Sequence, residues 1–275
     1  MTVPRILCID AYNLLHRSRS GFKLGPAPVA FNFFRSLRAF IEQFEPTRVY
    51  FVTEGVPKHR LAIDAEYKGN RAVEPGSDKA RELARFHEQK NEILRLLQHF
   101  PLSVIRHPDF EADDTVHNLL CRASSAVEWV VLSNDSDFTQ LLNTFDNVRL
   151  YNPMKKKYVE KPAYDYVAWK ALRGDPTDNI EGIPNIGDKR AEELVSHPNK
   201  LIEFLEDAEH KRVYERNTSL IRFHTWSDEE ATLMISSAPT QAWDVVKAQF
   251  DTWGFKSITN DDAWKKFVST FEHMW

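Results

Sequence analysis

The chain has 275 residues, of which 42% are hydrophobic and 28% charged, and a formal net charge of −4. That length fits one large domain or two smaller ones with a real core, and the composition is that of a globular protein, not a disordered or fibrous one. No run of roughly eighteen or more apolar residues exists, which excludes a helical membrane span.

Met1-Thr2-Val3-Pro4-Arg5 lacks a signal-peptide layout and leads directly into a strand. Cys8, in that strand, and Cys121, in a helix, read as small core residues of a reducing compartment, so a cytoplasmic location is expected. The run Arg5-Ile6-Leu7-Cys8-Ile9 ends in Asp10, as a central parallel strand would. The chain then turns away through His16, and Arg17 to Lys23 is basic and loop-like. Phe31, Phe34, Leu37, Ile41 and Phe44 recur at helical spacing until Pro46. A second strand, Arg48 to Thr53, ends in Glu54-Gly55, and a polar, basic connection follows from Pro57 to Arg71. Pro75-Gly76-Ser77 predicts a turn. Leu83, Phe86, Ile93, Leu94 and Leu97 then define one face of a helix from about Lys79 to His99.

A third strand around Leu102-Ile105, a helix over Asp113-Cys121, a fourth strand at Trp129-Leu132, a short helix and a fifth strand at Asn147-Tyr151 complete the alternation. This pattern predicts an open, mostly parallel α/β sheet. Past Tyr151 the chain reads as mainly helical, with a basic turn at Lys155, Lys156 and Lys157. The expected division is therefore a core at 1–152 and a helical region at 153–275. The last segment, with Trp243, Trp253, Trp264 and Trp275, reads as helical packing and carries no functional signal.

The chemistry lies in the acids. In such sheets ligands bind beyond the carboxyl ends of the strands, where Asp10, Glu54, the Glu111-Asp113-Asp114 group and the Asp135-Asp137 pair all fall. Clustered carboxylates repel unless a cation neutralises them, and oxygen-only ligation suits magnesium or manganese. Either group alone would serve as a helix cap or a solvated turn; four strand ends delivering acid to one rim favour a shared metal site. Two further acids, Asp175 and Asp178, precede a Gly182-Ile183-x-x-Ile186-Gly187 hairpin that opens a helix with Lys189 and Arg190. Such a hairpin can offer backbone N–H groups to a phosphate, although a glycine cap between two helices has the same pattern. Removing these nine carboxylates from a net of −4 leaves +5, so the acidic balance does not argue against a nucleic-acid partner.

With these residues in order, the chain resembles the flap endonuclease family, and by motif the bacteriophage 5′-nucleases and the 5′-nuclease domain of bacterial DNA polymerase I. The resemblance runs from Ile6 to about Val195. It is carried by Asp10, by Glu66-Tyr67-Lys68-Gly69-Asn70-Arg71, by Glu111-Ala112-Asp113-Asp114, by Ser133-x-Asp135-x-Asp137 with Leu141-Leu142, and by Gly174-Asp175-x-x-Asp178-Asn179-Ile180-x-Gly182-Ile183. Any one motif is weak, but five in sequence are specific.

The resemblance implies a PIN-like α/β core, a helical arch at about 66–100 and a helix–three-turn–helix at about 180–195 that grips duplex DNA. It implies two-metal hydrolysis of phosphodiesters near a 5′ flap or 5′ end, in replication or repair, with an RNA primer as a further substrate. The first metal would fall to Asp10, Glu54, Glu111 and Asp113, and the second to Asp135, Asp137, Asp175 and Asp178, with Asp114 close to both. A potassium ion at the hairpin is also implied. Lys68 and Arg71 would neutralise charge at the scissile phosphate, and Tyr67 would stack on a base. Arg60, Arg81, Arg85, Gly182, Ile183, Ile186, Gly187, Lys189 and Arg190 would contact DNA. One departure is Glu54, where the family has aspartate; the extra methylene changes its reach. Some relatives have lost the second-site acids and with them ordinary catalysis, whereas this chain keeps them. A monomer in a bacterial cell or phage-infected host is expected, with any polymerase acting in trans. Two other readings compete, a non-catalytic branched-DNA-binding relative and a PIN-type ribonuclease.

Overall fold

The computed structural model describes residues 3–23 and 25–274. The elements, in chain order, are β1 (Arg5–Asp10), α1 (Ala11–Ser18), α2 (Pro28–Phe44), β2 (Arg48–Thr53), α3 (Lys58–Ile63), α4 (Asp78–Leu97), β3 (Ser103–Arg106), α5 (Ala112–Cys121), β4 (Glu128–Leu132), α6 (Thr139–Thr144), β5 (Val148–Asn152) and β6 (Lys157–Tyr158). They continue as α7 (Tyr166–Arg173), β7 (Gly174–Asp175), β8 (Ile180–Glu181), α8 (Asp188–Val195), α9 (Pro198–Phe204), α10 (Ala208–Ile221), α11 (Asp228–Thr232), β9 (Ile235–Ser236), α12 (Trp243–Thr252), α13 (Lys256–Thr259) and α14 (Asp261–Ser269).

The main sheet has the order β6-β5-β4-β1-β2-β3-β9. Its five inner strands are parallel, and β6 and β9 pair antiparallel at the two edges. The mostly parallel sheet expected from the alternation is therefore present. Period-two alternation divides each inner strand between two helical layers. Leu7 and Ile9 face α1, α2 and α4, whereas Ile6 and Cys8 face α5 and α6. Strand order reverses between β1 and β4, which opens a crevice at their carboxyl ends.

Several local expectations are corrected. The chain after Asp10 is a helix, not a turn, because the Asp10 carboxylate accepts the Asn13 N–H 3.1 Å away and caps α1 through Ser18. The connection after Pro57 contains α3, which carries Arg60 inward. Cys8 is buried as expected, but Cys121 is exposed at the end of α5. Within the mainly helical region after Tyr151, β6 forms a hairpin with β5, and β9 returns to pair with β3.

The last helices also cross the division expected near residue 152. Val246, Phe250, Trp253, Phe267 and Phe271 share one apolar cluster with Phe33 and Phe34 of α2 and with Phe100 in the loop before β3. Trp253 is buried and Trp243 and Trp264 pack against that cluster, while Trp275 lies outside the described residues. Among the described residues no helix is long and apolar enough to cross a membrane.

Candidate active site

Each acid of the rim is set by the element that ends beneath it. Asp10 closes β1, and its second carboxylate oxygen accepts the Ser133 hydroxyl at 2.7 Å across the β1–β4 crevice. The same Ser133 oxygen accepts the Asp135 N–H at 3.0 Å, so one hydroxyl ties the two strand ends together. Glu54 lies just beyond β2 and accepts the Ala112 N–H of α5 at 2.8 Å. Its additional methylene thus lets one oxygen serve a helix N-terminus while the carboxylate lines the cavity. A cavity of about 480 Å³ is lined by Asp10, Glu54, Glu111 and Asp135 together with Tyr12, Asn13, His16, Arg17, Lys68 and Arg71.

A second group lies beside it. A short 3-10 turn after β4 carries Asp137 away from Asp135 and toward α7, where Asp175 and Asp178 arrive from the β7 turn. Asp137, Asp175 and Asp178 can place one oxygen each within 4.8 Å of one another. Asp135, expected in the second set, lines the Asp10 cavity here, and the tight trio is formed by the other three acids of that set.

The cations separate the two groups further. Lys68 Nζ lies 2.6 Å from Glu111 and 3.5 Å from Asp178, and Arg71 pairs with Asp178. The Lys68 segment is clamped to the Asp178 loop by the Lys68 N–H donating to the Asp178 carbonyl at 3.0 Å and by the Asn70 amide donating to the Pro176 carbonyl at 2.8 Å. Lys170, on α7, pairs with Asp137 and lies 2.6 Å from Asp175. Sequence reasoning missed Lys170 because a lysine on an amphipathic helix ordinarily reads as part of a solvated face.

Electrostatics follow from this arrangement. Burial pushes Asp10 up to about 6, against the Ser133 hydrogen bond. Burial pushes Glu54 up to about 8, reinforced by repulsion from Asp10 and Glu111. Glu111 is buried too, but Lys68 and Arg60 override that penalty and hold it below the usual carboxylate range. Burial raises Asp137 to about 6 despite the Lys170 ammonium, whereas at Asp175 the same ammonium overcomes burial and lowers the carboxyl.

Four residues expected at the metals or at DNA are buried in this structure. Arg60 was expected to contact DNA, but it is 1% exposed. Its guanidinium donates to Glu111 at 2.6 Å, to Asp114 at 2.7 and 3.0 Å, and to the Leu220 carbonyl at 2.8 Å. Asp114 was expected near both metals, but it is fully buried, with both oxygens taken by Arg60 and one also by the His224 N–H. It is the counter-ion of Arg60, not a ligand facing the cavity. Tyr67 was expected to stack on a base, but it is 6% exposed among Val167, Ala171, Ile180 and Leu220, with its hydroxyl 3.0 Å from Glu111. Ile183 was expected at the DNA surface, but its side chain packs with Leu172, Ala191 and Leu194 and its N–H donates to the Leu172 carbonyl.

The hairpin glycines divide similarly. A Cβ at Gly182 would come 2.1 Å from the Arg173 carbonyl oxygen, so this glycine is required by backbone packing and not by a ligand. Gly187, by contrast, has open space around it and caps α8. Lys189 and Arg190 are exposed on the first turn of α8, Arg190 pairing with Glu193 at 2.7 Å. The Ile186 N–H is already used by the Ile183 carbonyl at 3.1 Å. Asp113 is absent from the cavity wall and accepts the Asp114 N–H at 2.7 Å. In the expected arch, Arg81 turns back onto Asp78 and the Gly76 carbonyl, while Arg85 is exposed. The C-terminal part of α4, with Ile93 and Leu97, belongs to the core.

Two acid groups with flanking cations thus lie at the switch point of a parallel α/β sheet. Residues 5–170 match the 5′-3′ exonuclease, N-terminal resolvase-like domain, and the chain belongs to that family. It is similar to the 5′-3′ exonuclease of Halalkalibacterium halodurans, at 29% identity over 222 residues, covering 71% of this chain and 70% of that protein. It is also similar to DNA polymerase I of Synechocystis sp., at 28% identity over 223 residues, or 70% of this chain. The chain spans only 22% of that polymerase. Among solved structures, a bacteriophage T5 flap endonuclease pseudo-enzyme–product complex with DNA and metal ions has a TM-score of 0.67 at 18% identity over 97% of both chains. The catalytic core of Rad2 in complex with DNA substrate has a TM-score of 0.57 at 14% identity, over 96% of this chain and 92% of that one. These two likenesses show the fold.

Proposed function

We propose that this chain is a divalent-metal-dependent 5′-nuclease that hydrolyses phosphodiesters of DNA at a 5′ flap or 5′ end. The observation that carries the reading is the convergence of Asp10, Glu54, Glu111 and Asp135 on one cavity, with the Asp137–Asp175–Asp178 trio beside it. Buried carboxylates at this density are costly without cations, and an all-oxygen donor set with no thiolate or imidazole suits Mg²⁺ or Mn²⁺. Asp10, Glu54, Glu111 and Asp135 would hold one ion, and Asp137, Asp175 and Asp178 the other. When bound, such ions supply Lewis-acid neutralisation for an in-line displacement at phosphorus.

The chain's own residues do the rest. Lys68 and Arg71 line the same cavity and would neutralise the scissile phosphate as charge builds on it. Gly187, Lys189 and Arg190, at the open N-terminus of α8, would hold a duplex phosphate, and Arg85, on the exposed face of α4, would meet the 5′ strand. A potassium ion at the 182–187 hairpin and an RNA primer as a further substrate complete the reading; they rest on the resemblance.

The test is cleavage of an end-labelled 5′-flap duplex in Mg²⁺, compared with EDTA and with Asp135→Asn. Short products released near the junction, lost in both controls, are expected. Tight binding without cleavage in Mg²⁺ or Mn²⁺ would make the chain a non-catalytic DNA-binding relative.

A further inference from the structure

Among the described residues, Lys170 is the cation that pairs with two members of the trio. Its side chain is 4% exposed, and its ammonium contacts Asp137 and Asp175 directly. The third member, Asp178, is held from the other side by Lys68 and Arg71. The three carboxylates can converge within 4.8 Å, so there is room among them for one small cation. The Lys170 ammonium already bridges two of those three acids. Two positive charges at such a separation in a buried site repel strongly, because water screens them little.

The cavity of Asp10, Glu54 and Asp135 differs. Among the described residues, these three acids make no ion pair within 4 Å; of the cations on its wall, Arg17, Lys68 and Arg71, the last two bond to Glu111 and Asp178. One acid group is thus open to an ion from solvent, and the other already contains a cation anchored to the backbone.

We propose that Lys170 is a tethered counter-cation that occupies the second metal site and must leave it before a divalent ion can bind there. The proposal rests on the two-metal reading above and adds a regulation of it. The two sites load unequally, the Asp10 cavity first and the trio only when Lys170 swings out. The tether also has a structural use, since three buried carboxylates with no cation would oppose one another in the metal-free protein. The helix that carries Lys170 runs directly into Gly174 and Asp175, so release of its ammonium is coupled to the loop that bears two of the ligands.

Titration with Mn²⁺, followed by the electron paramagnetic resonance of free ion and without DNA, counts both sites independently of cleavage. Wild-type protein should show one tight site and a second at least about tenfold weaker. Lys170→Met should tighten the second site by at least about tenfold (about 1.4 kcal/mol) and leave the first unchanged. Lys170→Arg, which keeps the charge, should leave the second site weak. A lysine that only supports the fold would lower the melting temperature on removal without tightening any site.

Two sites with a second affinity unmoved or weakened in Lys170→Met would overturn the tether alone. Absence of any Mn²⁺ binding by the wild type would remove the nuclease reading itself. Should Lys170→Met not fold without metal, acetylation of the wild type read by mass spectrometry decides. Lys170 should be protected in EDTA and labelled severalfold faster in saturating Mn²⁺; equal labelling in both would overturn the proposal.

Discussion

The two acid groups carry similar formal charge and solve its cost in opposite ways. Around Asp10 and Glu54 the protein leaves carboxylates buried without ion partners, and both are pushed toward the protonated form. Of that cavity's four acids, among the described residues, Glu111 alone is ion-paired, with Arg60 and Lys68, whereas around the Asp137–Asp175–Asp178 trio the protein supplies Lys68, Arg71 and Lys170. The first region is an open demand for cations, and the second is a demand already met by side chains. Proximity of acids alone therefore does not define a metal site; the location of the protein's own cations decides which acids remain free.

That contrast can be broken most severely at Arg60. Replacement by Met should destabilise the fold by about 3–5 kcal/mol, because it strands Asp114 and Glu111 in the interior. Urea denaturation in EDTA measures it, and a change within 1 kcal/mol, on the order of an ordinary surface substitution, would mean that Asp114 has other support. Lys68 should behave differently although it too pairs with Glu111. Lys68→Ala is expected to lower turnover about 100-fold, the size of effect seen when a transition-state donor is removed, with duplex affinity nearly unchanged. Single-turnover cleavage and equilibrium binding separate these, and equal loss of both would deny it a role in the chemical step.

The smallest effect is the pH dependence of the unpaired side. Glu54 holds its proton more tightly when folded, up to about 8, than in the unfolded chain. The folded state therefore loses stability as pH rises through that range. His59, pulled down to about 4 mainly by burial, acts with the opposite sign, and its contribution is complete by about 6.5. Between pH 6.5 and 8 in EDTA, wild type should thus lose at most about 2 kcal/mol through Glu54. Glu54→Gln, which keeps an acceptor for the Ala112 N–H, should lose less over the same interval. Melting curves at both pH values give the difference; parallel curves would show that Glu54 ionises without cost.

Much of the fold was legible because local patterns are repeated. Runs of four to six residues, largely apolar and ended by an acid or a turn, announced β1, β2, β4 and β5, and the helical spacing of Phe31 to Phe44 announced α2. The acids were legible for a related reason: a side chain that follows a parallel strand must emerge at the carboxyl rim wherever the strand sits in the sheet. The short strands β6 and β9 were not legible, since two residues carry no periodicity and pair only because the sheet edge is already there. Cys121 likewise read as core from its helix but lies on the exposed face.

By itself, then, the sequence determined the parallel α/β class, the acidic rim and the motifs that place the chain among 5′-3′ exonucleases. Only the tertiary structure decided which charges face each other. Arg60, Tyr67 and Asp114 looked functional because their neighbours in sequence are, yet they are buried in one network with Glu111. Lys170 looked ordinary, yet it lies among the acids. Periodicity and turn chemistry act between residues close along the chain, whereas a charge is stabilised by whatever lies within a few ångströms of it. For Arg60 that means groups 51, 54 and 160 positions away, which only the folded chain brings together.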